Sequence, residues 1–513
     1  MGVSVNSLSH DIIFLENVEP FSARIQIKEQ ADLSIRYPEI HRVLGVRAQA
    51  SVMGTDRFSD GIMVDGLVRY TVLYETLTEE DLPVLQSAAF EQEFSESIEA
   101  AGFDSETHAF VNARVEEVTA SSLDPRSLRL ESTLVLSGKG VKTGRAQGID
   151  AAMLPPGIEH RAYTLEWLRL SQVLDQQIAM RESVELPDRL PAPARLLYSE
   201  MRVNDAVLNT AREAPHIEGN LSLKVLYLCE DATLPPMEWQ GTVPFSQPLY
   251  GESASGLDTG VLNAQVRQGH VKVREGFEEE ETRVLDVEAV IDVQGVMVAP
   301  AASQIVTDLY GVEHDYSVQA QVMTGLMSLS SIRREVPVFT EEWRDVTADS
   351  DFADGAFRIA AVDAMPYDGG VRLDGVAVLE LLQNGPKGPE TTVHEWPFVV
   401  DVEEDRVGEA KGCVADLAIS IQDGACTAQV DLWLYEQQEA SCVFDLEEQP
   451  DMDTMEPGLY IRRLSEGESL WDIGKAYRMS SAALAEFNQI APNEDPPAGS
   501  KLLIYKPRMR KTS

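Results

Sequence analysis

Over most of the chain, hydrophobic and polar residues alternate with a period of two, the pattern of a half-buried antiparallel sheet. Val64-Asp65-Gly66-Leu67-Val68-Arg69-Tyr70-Thr71-Val72-Leu73-Tyr74 shows it, and Ile217-Glu218-Gly219-Asn220-Leu221-Ser222-Leu223-Lys224-Val225-Leu226-Tyr227 echoes it. A third copy runs Leu373-Asp374-Gly375-Val376-Ala377-Val378-Leu379-Glu380-Leu381-Leu382, with Gln383 where the other two carry Tyr74 and Tyr227. Further landmarks keep the same register: Phe94, Pro244-Phe245 and Pro397-Phe398, then closing strands at Leu128–Leu134, Val284–Val290 and Thr427–Leu432. Three landmarks in one order at nearly constant intervals point to triplication. A glycine inside each first landmark predicts a bulge or a close approach of neighbouring backbone. Short strands separated by Asp/Gly/Pro turns predict a sandwich or an open barrel for each copy, the sandwich being favoured. The joining segments are alike too, Glu159-His160 before Tyr163-Thr164 paralleling Glu313-His314 before Tyr316-Ser317. Fixed docking of the copies is expected from that likeness.

The period changes in the last stretch. Gly458-Leu459-Tyr460-Ile461 reads as a strand and Gly467 as a turn residue able to take positive φ. Ser469 is an N-cap with Asp472 completing a capping-box pair, and Leu470, Ile473 and Tyr477 follow at helical spacing. Ser480 or Ser481 caps a second helix whose Leu484 and Phe487 are expected to face the same core, with Asn488 and Pro492 ending it. Leu502 to Ile504 supply the closing strand. The expected fold is mainly β, three tandem β-sandwich-like repeats followed by a small α+β (βααβ) module. The expected divisions are 1–150, 151–305, a degenerate third repeat over 306–450, the module at 457–507 and a basic tail at 508–513.

The module's residue order resembles the LysM domain: strand, Gly467-Glu468-Ser469-Leu470 turn, Ile473 one helical turn on, Leu484 and Asn488, and a Gly499-Ser500-Lys501-Leu502-Leu503-Ile504 close. The repeats resemble the SPOCS domain of sporulation and spore-coat proteins, through Val225-Leu226-Tyr227, Pro244-Phe245 and Leu123-Asp124-Pro125-Arg126-Ser127-Leu128-Arg129-Leu130-Glu131. Three such repeats with a C-terminal LysM module is the layout of the clostridial spore-coat morphogenetic proteins. That resemblance implies synthesis in the mother-cell cytoplasm, assembly at the forespore surface with other spore-coat proteins, and capture of a coat-assembly ATPase by the LysM module. In sugar-binding LysM domains a shallow groove lies between two loops. By position these are Gly467, Glu468, Ser469 and Leu470, with Gln489, Ile490, Ala491 and Pro492 opposite. Such a groove would hold an N-acetyl-sugar glycan on backbone amides and an apolar floor. Trp471, between core positions on the first helix, is expected to be partly exposed and to anchor a partner.

Composition narrows the partners. With 513 residues, three or four folded units are expected. Lys and Arg number 42 against 85 Asp and Glu, a net charge of −43, yet the segment from Gly458 onward holds nine basic and six acidic residues. The strongly acidic remainder repels phosphate backbones and anionic lipid, which argues against nucleic acid and membrane-surface binding. No signal peptide and no apolar run long enough to span a bilayer is expected. Cys229, Cys413, Cys426 and Cys442 lack CxxC spacing and read as free thiols of a reducing compartment.

Chemistry-bearing motifs are missing. No two of the eight histidines stand at i+2 to i+4 from one another or from a cysteine, so no metal signature exists, and no cofactor is expected. No phosphate-binding glycine loop, nucleophile elbow or His-Glu-x-x-His occurs. Glu278-Glu279-Glu280-Glu281 reads as a solvated loop, not a glycosidase pair. Asp65, Glu218 and Asp374 recur at one register, and the solvent side of a strand explains them better than a shared site. No catalytic residue is assigned. The expected function is a scaffold of spore-coat assembly, with a peptidoglycan- or cortex-binding protein as the alternative.

Overall fold

A computed structural model describes residues 9–209, 215–231, 233–249, 259–274, 283–337, 352–367, 369–385, 388–403, 412–422, 425–449, 456–491, 494 and 496–506. Glu278–Glu281, Pro492 and the 508–513 tail lie outside the described residues. The first eighteen strands repeat one plan three times. In the first unit β1 (Ser9–Asp32), β6 (Ser127–Ile149) and β5 (His108–Asp124) form one antiparallel sheet in that order. Its other sheet is β2 (Arg42–Phe58), β3 (Gly61–Leu77) and β4 (Pro83–Glu99). The second unit repeats this as β7 (Ile158–Glu185), β12 (Val284–Gly311), β11 (Thr259–Val273) and as β8 (Pro193–Asn209), β9 (His216–Cys229), β10 (Met237–Pro248). The third does so as β13 (Asp315–Pro337), β18 (Ala425–Gln449), β17 (Gly412–Gln422) and as β14 (Phe352–Tyr367), β15 (Gly370–Gly385), β16 (Gly388–Glu403).

Alternation buries one face of each sheet against its mate. Val64, Val68 and Tyr70 of β3 meet Leu128, Leu130 and Leu134 of β6; Leu221, Leu223 and Val225 of β9 meet Leu285, Val287 and Ile291 of β12. In the third unit Leu373 and Ala377 of β15 meet Val430 and Leu432 of β18. Each unit is a sandwich, and Asp65, Glu218 and Asp374 lie half-buried on the opposite side of their strands.

Two sequence landmarks turn out to be partners across the ladder. Gly66 pairs with Phe94, Gly219 with Phe245 and Gly375 with Phe398. A Cβ on Gly66 would lie 2.2 Å from the Phe94 ring and 2.6 Å from the Ser51 carbonyl oxygen. The aromatic ring lies over the bare glycine backbone, so the close approach has an identifiable cause. Tyr74 and Tyr227 are fully buried, and their hydroxyls donate to the carbonyls of Pro38 (3.2 Å) and Pro191 (3.1 Å). Gln383 of the third unit occupies the corresponding position.

The strands are much longer than expected: β1, β6, β7, β12, β13 and β18 span 23 to 28 residues. Each serves two cores. Beyond its own sandwich, the far half of β6, β12 or β18 enters a hub shared by all three units. Leu15, Phe110 and Val141 of the first unit pack there with Val261, Val296 and Val298 of the second and with Leu326, Leu329 and Trp433 of the third. A second layer joins Phe14, Trp167 and Met323, one from each unit. Strands β1, β7 and β13 touch pairwise around the hub, as do β6, β12 and β18, giving an approximate three-fold arrangement. The ribbons change register where they leave the sandwich, between Val18 and Phe21 on β1, opposite Met297 and Val298 on β7, and between Leu326 and Ser328 on β13. A bulge bends its strand and increases its twist, redirecting the apolar face towards the hub. The expected division at 305/306 falls within β12, which is continuous to Gly311 because its far half belongs to the hub.

Trp433 lies at the hub centre, 1% exposed, its ring 5.2 Å from that of Phe110. Trp433→Ala should destabilise the chain by about 3–5 kcal/mol, and denaturant unfolding should show all three units affected, not the third alone. Burial pushes the phenols of Tyr74 and Tyr227 up to about 12 from 10. Folding holds both in the neutral form, so their contribution is intact below pH 10 and is lost as the pH climbs towards 12. Alkaline unfolding of the wild type should therefore be steeper over that window than that of Tyr74→Phe/Tyr227→Phe.

Candidate functional site: the C-terminal module and its docking face

The module is built as its sequence predicts. β19 (Gly458–Arg463) pairs antiparallel with β20 (Lys501–Lys506), and α1 (Leu470–Tyr477) and α2 (Ser481–Phe487) lie between them in the chain. Ser469 caps α1 in a reciprocal capping box: its hydroxyl accepts from the Asp472 amide, and the Asp472 carboxylate accepts from the Ser469 amide at 2.8 Å. The Ser469 hydroxyl also donates to that carboxylate at 2.6 Å, and this bond first, then the amide, holds the Asp472 carboxyl below its ordinary range. Gly467 turns the chain at φ +79°. Leu464, Leu470, Ile473, Leu484, Ala485, Leu502 and Ile504 form the core.

Two aromatic residues sit differently from expectation. Phe487, placed in the core by its spacing, is 47% exposed and stacks on Tyr505 of β20 at 6.3 Å. Asn488 turns inward instead. Its side chain donates to the carbonyls of Leu484 and Leu503 and accepts from the Leu503 amide at 2.7 Å, tying α2 to β20.

Trp471, expected to be partly exposed, is buried, because α1 docks on the end of the β body. Its indole Nε1 donates to Asp308 of β12 at 2.8 Å, and its ring meets Tyr310 edge-on at 4.7 Å. The Arg161 guanidinium of β7 covers the ring at 4.8 Å. Lys475 reaches the other Asp308 oxygen at 2.6 Å, and Arg478 pairs with Asp315 of β13. The Tyr310 hydroxyl donates to the Met479 carbonyl at 2.8 Å and lies so near Gly474 that a Cβ there would fall 2.5 Å from it. Trp471 and Lys475 stand at i and i+4, so they form one stripe of α1 beside the core stripe, and Arg478 follows as its C-cap at φ +52°. That stripe was legible; the acceptors Asp308, Tyr310 and Asp315 carry no local signal.

The groove residues divide accordingly. Gly467 and Ala491 are exposed, and Gln489 is exposed at φ +58°. Leu470 is core, and Ile490 is half-buried against it. Glu468 is engaged, accepting from the Ser465 amide at 2.9 Å and from Arg462 at 3.1 Å; the amide chiefly keeps its carboxyl low. Ser469 also meets Arg161 at 3.3 Å, so the body borders one groove loop. Among the described residues, no three His, Cys, Asp or Glu side chains gather as a metal site, and no helix is long and apolar enough to cross a membrane.

Two family models match the chain. Residues 39–123, within the first sandwich, match the SipL, SPOCS domain, and residues 464–504 match the LysM domain. The chain is therefore similar to sporulation-related proteins and carries a LysM module, and both domains are non-catalytic binding types. No match was found among curated proteins or solved structures.

Asp308→Ala strips the shared acceptor from Trp471 and Lys475. It should loosen the docked helix by the order of 1–2 kcal/mol, the buried indole N–H being left unpaired while the half-exposed ion pair adds little. Amide exchange should quicken over 470–477 while the β19–β20 ladder keeps its protection.

Proposed function

We propose that the chain is a non-enzymatic scaffold of spore-coat assembly, whose LysM module captures a coat-assembly ATPase at the forespore surface on the mother-cell side. The observation that carries this reading is the pairing of a SPOCS match with a LysM match in one chain. On this reading the second and third sandwiches, which share the first one's strand order, are SPOCS domains as well. They would dock other spore-coat proteins.

The module's exposed chemistry favours a protein partner. With the Trp471 face covered, the outer face of β19–β20 is open, carrying Leu459 (62% exposed), Ile461 (70%), Leu503 (41%) and Tyr505 (51%). Leu459 pairs with Tyr505 and Ile461 with Leu503, so the four side chains form one cross-strand patch, extended by Phe487. A contiguous apolar patch of this kind on an exposed face marks interaction sites. Arg463 and Lys501, paired across the same two strands, flank it and suit an acidic rim on the partner.

The second reading, binding of an N-acetyl-sugar glycan of peptidoglycan or cortex, rests on the LysM match and on the exposed Gly467, Gln489 and Ala491 loops. Two variants separate the readings. Affinity capture from sporulating cells should recover the ATPase with the wild-type chain and lose it with Ile461→Asp, while Ala491→Arg retains it. Sedimentation with insoluble peptidoglycan that is abolished by Ala491→Arg and indifferent to Ile461→Asp would establish the glycan reading instead. Deleting residues 458–513 should leave a folded body that no longer reaches the forespore surface.

A further inference from the structure

Where the three units meet, a cavity of roughly 270 Å³ opens between the sheets, lined by strands from every unit. Its charge runs against that of the chain. Arg114, Arg202, Arg333 and Arg358 line it, with Asp431 the one carboxylate among the described lining residues. Side-chain amides brace it: Gln49 donates to the Met201 carbonyl and Gln265 to the Val111 carbonyl, each at 2.7 Å, bridging the first unit to the second.

The arginines differ in how far they are compensated. Arg333 is clamped by Asp431 and donates to the carbonyls of Val203 and Asn204, the latter freed by the register shift between Val203 and Asp205. Arg202 pairs with Glu200, and Arg114 donates to the Ile359 carbonyl beside a corresponding shift in β14. Arg358 reaches a carboxylate, that of Glu380, only at 3.8 Å. Its neighbour Glu380, at that distance, is held more tightly by Arg47 at 2.5 Å. Two guanidiniums thus converge on Glu380, Arg358 holding the longer contact, with the side chains of Arg358, Arg47 and Glu380 18%, 5% and 7% exposed. Taking an incompletely balanced charge out of water is expensive, and an added anion removes that expense. Burial above all pushes the Arg358 guanidinium down from its ordinary value, with the Arg47 charge adding to it against the opposing pull of Glu380 and Glu117.

We propose that this cavity is a binding site for a small multivalent oxyanion, held between Arg358 and Arg202 where the three units join. Guanidinium forks match the geometry of phosphate and carboxylate oxygens alike. The site would couple anion binding to cohesion of the units, because its cations come from all three of them. It is independent of the LysM module.

Calorimetric titration of the full chain with inorganic pyrophosphate, and separately with citrate, tests this. Saturable binding of either anion is expected, pyrophosphate marking phosphate chemistry and citrate carboxylate chemistry. Arg358→Gln should weaken it roughly 10- to 100-fold, the worth of one charged hydrogen bond, while Arg372→Gln, a distant exposed residue on β15, should not. Without anion, Arg358→Gln should melt no lower than wild type, since it removes the surplus charge and leaves the Arg47–Glu380 pair intact. Ala113→Asp, which places a carboxylate in the cavity, should also suppress binding. No saturable binding of either anion to the wild type, or binding unchanged in Arg358→Gln and Ala113→Asp, would overturn the proposal.

Discussion

One strand filling two cores is the constraint on which the molecule depends. Leu128 to Leu136 of β6 close the first sandwich, whereas Val141 and Ala146 of the same ribbon belong to clusters shared with the other units. The same division holds for β12 and β18. Because backbone hydrogen bonding continues from one core into the other, a unit cannot rotate away from the hub without breaking a ladder that also holds its own sandwich. Interdomain linkers ordinarily allow relative motion; here the connection is the sheet itself. The register shifts at Val18, at Leu326 and opposite Met297 reconcile the two burial directions on each ribbon.

The docking of the module follows from what the hub leaves at its rim. The far ends of β7 and β12 and the start of β13 carry Arg161, Asp308, Tyr310 and Asp315 to one place, where α1 presents an indole and two cations. An acidic body and a basic module are complementary in bulk, but the contact is specific because one carboxylate accepts from both Trp471 and Lys475. A consequence for function is that the module is oriented, not tethered. One helix face is committed inward, while the β19–β20 face and the groove loops look outward.

Much of this was legible in the residues. The glycine of each first landmark reads as a bulge or a close backbone approach, and the structure pairs it across the ladder with the phenylalanine of the second landmark in all three units. The capping box at Ser469 and Asp472 and the turn at Gly467 were equally plain, because local hydrogen bonding and positive φ are properties of a few adjacent positions. The hub was not: alternation gives way to apolar runs at Leu134-Val135-Leu136 and Val296-Met297-Val298-Ala299, but nothing in the residues marks where one burial partner replaces another. Strand lengths were underestimated for the same reason. On an isolated helix Trp471 reads as outward, since the helix alone carries no sign of the body it docks on, and spacing sets Phe487 inward because it cannot tell that Asn488, one residue on, makes three hydrogen bonds and takes the inner position.

Scanning calorimetry of the full chain addresses the shared hub most directly. A single transition across the three sandwiches, with calorimetric and van't Hoff enthalpies in agreement, is the result expected of units that share a core. Three separable transitions for the sandwiches, each with the enthalpy of one unit, would contradict it.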